Sequence, residues 1–160
     1  IASLSHPRQQ VYVREGTHAW DGQIAVSKGN VNLTGDERAR LLGSWALLPE
    51  SHGSVRGISL AKKGSEEVGA PVQHACVTVF EGEWAFEGCE VRSIKCTAAM
   101  LLEGAAVSVA RCNLGGIGSD YESLALNCVV AMHTSTATLS ECTCEDSGDM
   151  MRRPPRDAGG

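Results

Sequence analysis

Cysteines are the residues of this sequence with the most versatile chemistry, and two of them stand close together near its end. Cys142 and Cys144, with His133 and Asp146 nearby, offer the thiolate, imidazole and carboxylate groups that bind zinc. Their spacing is not that of a standard zinc-binding pair, and a core position already explains each cysteine. The sequence therefore assigns no metal ligand and no cofactor.

Glutamates and arginines around the cysteines are the candidates for a catalytic face. A hydrolase or lyase needs paired carboxylates, or a carboxylate beside a base, on adjacent exposed strands. The residues of these types that could line up are Glu87, Glu90, Glu141, Glu145, Arg92 and Arg111. Charges of both signs on neighbouring strands are more often a solvated surface that keeps a domain soluble. We therefore assign no catalytic residue and predict that the chain is not an enzyme.

No other motif for catalysis or phosphate binding is complete. A cysteine nucleophile needs an exposed thiol of low pKa beside its base, and only His74, two residues before Cys76, has a fixed relation to a cysteine. The glycine-rich run 114–118 lacks the Lys-Ser/Thr pair and the helix of a phosphate-binding loop. We predict instead that residues 115–122 form a loop inserted at a corner between strands.

An internal repeat accounts for the positions of the cysteines. Residues 84–91, 107–114 and 137–144 share one pattern: apolar, small, apolar, two small or polar residues, Cys, polar, apolar. Side chains two apart on a strand point to the same face. Stacking the three units in register therefore predicts an interior ladder of Cys89, Cys112 and Cys142, flanked by a second row of Val91, Leu114 and Cys144.

The rest of the chain continues this pattern with short alternating strands between glycines. The 160 residues are 42% hydrophobic but only 4% aromatic, which indicates a core of small and branched side chains. We predict an all-β fold, a right-handed parallel β-helix (solenoid) of about five to six short coils. The predicted domain covers residues 11–148, after an N-terminal extension at 1–10 and before a flexible, basic C-terminal tail at 149–160.

The repeat resembles the right-handed parallel β-helix repeats of the pectin-lyase-like superfamily, especially the non-enzymatic type found in F-box-only ubiquitin-ligase adaptors. The stretches that carry this resemblance are 13–17, 84–93, 107–116 and 137–148. Enzymes of the superfamily group carboxylates, Lys and Arg on one outer face, and no such cluster is recognisable here. The resemblance therefore implies a fold and no activity.

Charge and hydropathy limit the classes of partner. A formal net charge of -5 gives no attraction to a nucleic-acid backbone, so we expect no nucleic-acid partner. No apolar run approaches the roughly 18 to 20 residues that cross a bilayer, so the chain is not predicted to span a membrane. Cysteines at core positions favour reduced thiols and hence an intracellular place, cytoplasmic or organellar.

These expectations together favour a non-catalytic protein-interaction or scaffold module, a subunit or fragment of a larger assembly. Other protein subunits are the expected partners, because a solenoid needs cover at both ends and no capping helix is predicted. The alternative is a carbohydrate-binding or carbohydrate-active domain, although Trp20, Trp45 and Trp84 fall at interior-like positions. A further alternative is the substrate-recognition module of a ubiquitin ligase.

Overall fold

The computed structural model describes residues 9–63, 73–118 and 127–146. These residues form strands joined by short turns, and none of them lies in a helix, so the all-β prediction is confirmed. Of the two predicted end segments, 1–10 and 149–160, only Gln9 and Gln10 are among the described residues, and both belong to the first strand.

The first of two sheets has six described strands, all paired in parallel. Their order across the sheet is β1-β3-β5-β8-β10-β13, which is also their order along the chain. The strands are β1 (Gln9–Val13), β3 (Gly29–Gly35), β5 (Ser51–Arg56), β8 (Glu83–Glu87), β10 (Ala106–Ala110) and β13 (Thr136–Ser140).

The second sheet contains the strands that come between those of the first. They are β2 (Gly16–Val26), β4 (Ala39–Leu47), β6 (Ser59–Lys63), β7 (Gln73–Phe80), β9 (Glu90–Glu103), β11 (Asn113–Gly118), β12 (Asn127–Met132) and β14 (Thr143–Asp146). The order is β14-β11-β9-β6-β4-β2. The strands β6 and β7 pair with different halves of β4 and of β9, so the sheet has two arms.

The chain alternates between the sheets, and we call one first-sheet strand with the second-sheet strands that follow it a circuit. Each circuit pairs in parallel with the next, and the register matches equivalent residues of the repeat: Val107 lies between Trp84 and Ala137, and Leu114 lies between Val91 and Cys144. The predicted alignment of the three repeat units is therefore the observed one.

A single residue with positive φ turns the chain from the first sheet to the second in four successive circuits. These residues are Gly57, Gly88, Arg111 and Glu141, with φ of 64°, 60°, 51° and 53°. Each bend costs a non-glycine residue about 1 to 2 kcal/mol, and stacking of the turns offsets it. The N–H of Gly88 donates to the carbonyl of Ala110 at 2.9 Å, and that of Arg111 to Ser140 at 2.9 Å.

Side chains that alternate toward the space between the sheets form the core. One row across the first sheet contains Val55, Phe86 and Val109, all buried, and ends at Leu139. A row across the second contains Leu41, Leu60, Val91 and Leu114. Rows of Val and Leu fill the interior, which explains how a chain so poor in aromatic residues has a continuous core.

One predicted loop is a strand. Residues 115–118, expected to begin a corner insertion, belong to β11, and residues 119–122 lie outside the described residues. Gly116 has a φ of 141°, and a Cβ there would lie 1.7 Å from the carbonyl oxygen of Ser93 in the neighbouring strand. The glycines therefore allow close approach of two strand backbones, a role that the turn interpretation missed.

Candidate functional site

Two members of the predicted cysteine ladder, Cys89 and Cys112, lie in the interior. The N–H of Cys89 donates to the sulfur of Cys112 at 3.3 Å, and the thiol of Cys89 donates to the carbonyl of Val55 at 3.3 Å. Cys142 is only half-buried, because the described structure has no strand beyond β13. None of the seven cysteines forms a disulfide.

The buried thiols are poor nucleophiles. Burial raises the pKa of Cys76 to about 12. The pKa of Cys112 is also raised, first by the hydrogen bond with the adjacent Cys89 thiol and second by burial. The same contact lowers the pKa of Cys89, whose side chain is nonetheless enclosed by the stack. A catalytic cysteine needs both a thiolate and access to a substrate, and no buried member of the ladder combines them.

We expect thiol labelling to follow position in the stack. In the folded protein, maleimide labels Cys144 first and then Cys128 and Cys142, because these three are exposed or half-buried. Cys89 and Cys112 react at least about a hundredfold more slowly, since they must wait for local opening. Time-resolved labelling with peptide mass spectrometry measures this order, and denatured protein is the control in which all sites react alike. Equal rates at Cys112 and Cys144 would contradict the burial.

The sequence candidates for zinc do not form a site within the described residues. No group of three His, Cys, Asp or Glu side chains there is close enough to hold a metal ion. The thiol of Cys142 instead donates to the carbonyls of Val109 and Ser140, each at 3.3 Å. The side chain of Asp146 lies outside the described residues.

Two of the four candidate catalytic glutamates, Glu87 and Glu90, form ion pairs with arginines. Glu87 forms ion pairs with Arg56, at 3.3 Å, and with Arg111. Glu90 accepts from Arg92 at 2.8 Å and from Ser59 at 2.9 Å. The Arg92 contact is the main cause that lowers the pKa of Glu90, so this carboxylate stays ionised and is not poised to donate a proton. Glu141 is exposed, and the side chain of Glu145 is outside the described residues.

A charged cleft brings Glu90 together with residues that the sequence analysis missed. Glu15, Glu37, Arg38 and Arg40 line this cleft of about 380 Å³ with Glu90. Arg38 lies 3.4 Å from Glu15, so the cleft contains compensating charges. Glu15 precedes β2, Glu37 and Arg38 precede β4, and Arg40 is the second residue of β4. Only the parallel register of the strands brings these residues beside Glu90.

A larger cleft, of about 640 Å³, opens on the second sheet where its two arms meet. We call it the Trp20 cleft. Its apolar wall contains Ala19, Trp20, Leu42, Ala61 and Ile94, from four neighbouring strands. Leu42 and Ile94 are each 38% exposed, so the cleft presents aliphatic side chains to solvent. Its volume lies within the roughly 300 to 1,000 Å³ of ordinary binding sites.

A bulge in β2 creates this cleft. The register passes from Ala19 opposite Leu42 to Gln23 opposite Ser44, so three residues of β2 face the single residue Gly43. The hydroxyl of Ser44 donates to the carbonyl of Gly22 at 3.0 Å and holds the bulge. Bulges re-aim side chains next to binding sites. In the sequence, only Asp21-Gly22, a turn pair inside a strand pattern, signals the bulge.

The bulge lays the indole of Trp20 on the backbone of β4. A Cβ at Gly43 would lie 2.4 Å from Cε2 of Trp20, so the glycine makes room for the ring. The ring also packs edge-on against Trp45, with centroids 5.4 Å apart and planes at 89°. The Nε1 of Trp20 is buried and has no acceptor among the described residues. A ligand in the cleft would therefore contact the ring surface of Trp20 and not its N–H donor.

Polar groups stand around the apolar wall of the Trp20 cleft. Asp21, Gln23, Ser44 and Lys62 also line it. Among the described residues, neither Asp21 nor Lys62 forms an ion pair. Of the other two tryptophans, Trp84 is buried in the core and Trp45 is half-buried behind Trp20. The interior position predicted for Trp84 is therefore observed, whereas Trp20 and Trp45 are half-buried and pack against the core.

The outward face of the first sheet carries a second, shallower groove. It has a volume of about 540 Å³ and is lined mainly by small polar side chains, among them Asn32, Ser54, Ser108 and Thr138. These side chains form one row across the sheet. Asn32 pairs with Ser54, Ser108 pairs with Thr138, and Ala85 lies between Ser54 and Ser108. His52, Arg56 and Glu83 also line the groove, and its large apolar lining residues, Trp84 and Val107, are buried, so it has no exposed apolar anchor.

Comparisons with protein-family models, with curated proteins and with solved structures find no match. The resemblance to the pectin-lyase-like superfamily thus rests on the repeat in the sequence. Within the described residues, there is no helix with the length and hydropathy needed to cross a membrane.

Proposed function

We propose that the chain is a right-handed parallel β-helix of the pectin-lyase-like kind that acts as a non-catalytic protein-interaction module. Parallel pairing of each circuit with the next supports the solenoid, as do the offsets between paired residues. Gln9 pairs with Val31, 22 residues later, and Trp84 pairs with Val107, 23 residues later. In this proposal, the six described strands of the first sheet correspond to six coils.

The Trp20 cleft is the observation that carries the interaction function. Aromatic and aliphatic anchors in a concave site are typical of the centres of protein interfaces. The cleft has such anchors in Trp20, Leu42 and Ile94, two of which are substantially exposed. The charged cleft and the ion-paired glutamates offer no comparable arrangement for catalysis, which favours binding over a reaction.

The occupant that fits the cleft is a peptide segment of a partner protein with an apolar side chain as its anchor. Asp21 and Lys62 lie on the lining of the same cleft without ion-pair partners among the described residues. They are available to charges of opposite sign on either side of the anchor. Such charges set orientation and specificity more than affinity.

A display library of random 12-residue peptides tests this proposal. We expect the library to yield peptides with an aromatic or aliphatic anchor, and their affinity to fall at least about tenfold in Leu42→Asp and in Ile94→Asp, since each puts a carboxylate into the apolar wall. Ser108→Asp is the matched control on the first sheet, and it should bind as the wild type does. Thermal unfolding shows whether all three variants are folded.

Two outcomes would count against the proposal. One is a set of selected peptides that bind Leu42→Asp as well as the wild type. The other is the absence of any peptide ligand together with saturable binding of oligosaccharides to the same protein. In either case the Trp20 cleft is not a peptide site.

Carbohydrate binding is the second candidate, and one observation favours it. Trp20 presents a ring next to Asp21 and Gln23, and an aromatic platform beside carboxylate and amide groups suits a sugar. The buried Nε1 of Trp20 and the aliphatic Leu42 and Ile94 favour the peptide instead. A panel of neutral and acidic oligosaccharides, titrated against wild type and Trp20→Ala, distinguishes the two.

A further inference from the structure

The two ends of the stack of circuits differ in the side chains that they present. One end of the described structure is formed by β13 and β14, and we call it the β13 end. Leu139 there is 42% exposed, whereas Val109, its partner one circuit earlier, is 1% exposed. Cys144 is exposed, and its partner Leu114 is buried. Core-type positions at this end therefore lie open within the described structure.

At the opposite end of the described structure, formed by β1 and β2, the inward Val11 and Val13 of β1 are half-buried, and one inward position of β2 is polar. His18 is aligned with Leu41 and so occupies the register position that holds Leu60 and Val91 in later circuits. It is exposed, and its Nε2 lies 3.1 Å from the carbonyl oxygen of Arg14. A polar residue at an inward position of an end strand hinders the addition of another strand. Head-to-tail stacking would bury this imidazole against the row that ends at Cys144.

Within the described residues, strand β13 lacks the usual protection of an edge strand. Its sequence, Thr-Ala-Thr-Leu-Ser, has no charged residue and no proline, and the described structure pairs it only with β10. Strand β1 also has no charged residue and no proline, but the inward Leu139 of β13 is exposed whereas the inward valines of β1 are half-buried. Native proteins protect such edges with Lys, Pro or a bulge, because a bare edge pairs with another strand. The edge of β13 is thus suited to receive one.

The sequence of β13 is complementary to itself in the antiparallel direction. Pairing two copies about Thr138 places Ala137 of each opposite Leu139 of the other, so a small side chain meets a large one on the inward face. The same pairing places Thr136 opposite Ser140, and no like charges face each other. An antiparallel pair of identical strands has two-fold symmetry, which closes the assembly at two copies.

We infer that a second copy of this chain docks on the β13 end, through antiparallel pairing of β13 with β13, to form a closed dimer. The inference does not depend on the Trp20 cleft, whose residues are on β2, β4, β6 and β9. Leu139 and Ala137 become core residues at the junction. The N-terminal ends, with His18, point away from each other.

Sedimentation equilibrium of the full chain under reducing conditions tests the dimer. We expect a monomer-dimer equilibrium whose dissociation constant rises at least about tenfold in Leu139→Lys, because the lysine would be buried at the junction. Ser108→Lys is the matched control, since its position lies one strand inside the edge and faces outward, and it should leave the equilibrium unchanged.

A cross-link tests the register. With Cys144→Ser as background, Thr138→Cys should form a disulfide-linked dimer on mild oxidation, whereas Ser108→Cys should not. A chain that stays monomeric at high concentration overturns the inference. So does a dimer that Leu139→Lys leaves unchanged, or a series of growing oligomers, which would indicate head-to-tail stacking.

Discussion

Replacement of Phe86 by alanine should lower the free energy of unfolding by about 3 to 5 kcal/mol, which is the range for deletion of a buried phenylalanine. Phe86 is 1% exposed and lies in the middle of the first sheet, paired with Val55 on one side and Val109 on the other. The strands on both sides are fixed by backbone hydrogen bonds, so they cannot close the cavity that the ring leaves.

Leu139→Ala is the matched control for Phe86→Ala. Leu139 occupies the same inward row two circuits later, yet it is largely open to solvent at the end of the described stack. At protein concentrations where the chain is monomeric, we expect this variant to lose less than about 1 kcal/mol, since little apolar area is returned to water.

Urea denaturation followed by circular dichroism measures both variants. The midpoint should fall strongly for Phe86→Ala with an unchanged slope, because the surface exposed on unfolding stays the same. Similar losses for the two variants would mean that the β13 end is as well packed as the centre, and would remove the basis of the docking inference.

Replacement of Gly53 by alanine is the second change with a large expected effect, on the order of 3 kcal/mol from strain and overpacking together. Gly53 has a φ of 154°, and a Cβ there would lie 1.9 Å from the carbonyl oxygen of Val31 in the adjacent strand. Relief requires β3 and β5 to move apart, which breaks their parallel ladder.

Gly88→Ala separates this effect from the general cost of losing a glycine. Gly88 has a φ of 60° at a turn, but no atom lies within 4 Å of a Cβ placed there. Arg111 and Glu141 occupy the corresponding turn position in later circuits. We therefore expect a loss of about 1 kcal/mol. Thermal unfolding of both variants provides the comparison, and equal losses would exclude close backbone approach as the cause at Gly53.

Much of the fold could be predicted from the sequence because its repeat is one of side-chain character. Cys89 and Cys112 recur with apolar residues at fixed offsets, and period-2 alternation assigns those residues to one face. The all-β class, the alignment of 84–91 with 107–114 and the burial of this cysteine pair followed from that pattern. The run 115–118 was misinterpreted because glycine serves turns and close strand contacts alike.

The Trp20 cleft could not be predicted, because it depends on a mismatch between strands. Trp20 looks like an ordinary strand residue until β2 is aligned with β4, when three residues of β2 face Gly43. Leu42 and Ile94 likewise look like core residues, and they are 52 positions apart in the chain. Their shared exposure arises where the arms of the sheet meet.

The sequence by itself determined which residues alternate and which are equivalent, because these depend on local periodicity and on composition. It was sufficient for the all-β class, for the parallel pairing of the repeat units and for the interior place of Cys89 and Cys112, but not for the strand at 115–118. Only the tertiary structure decided which apolar residues remain in contact with water. Leu139 has the pattern of Val109, but a side chain is buried only if another strand covers it, and that cover is a property of neighbours distant in sequence.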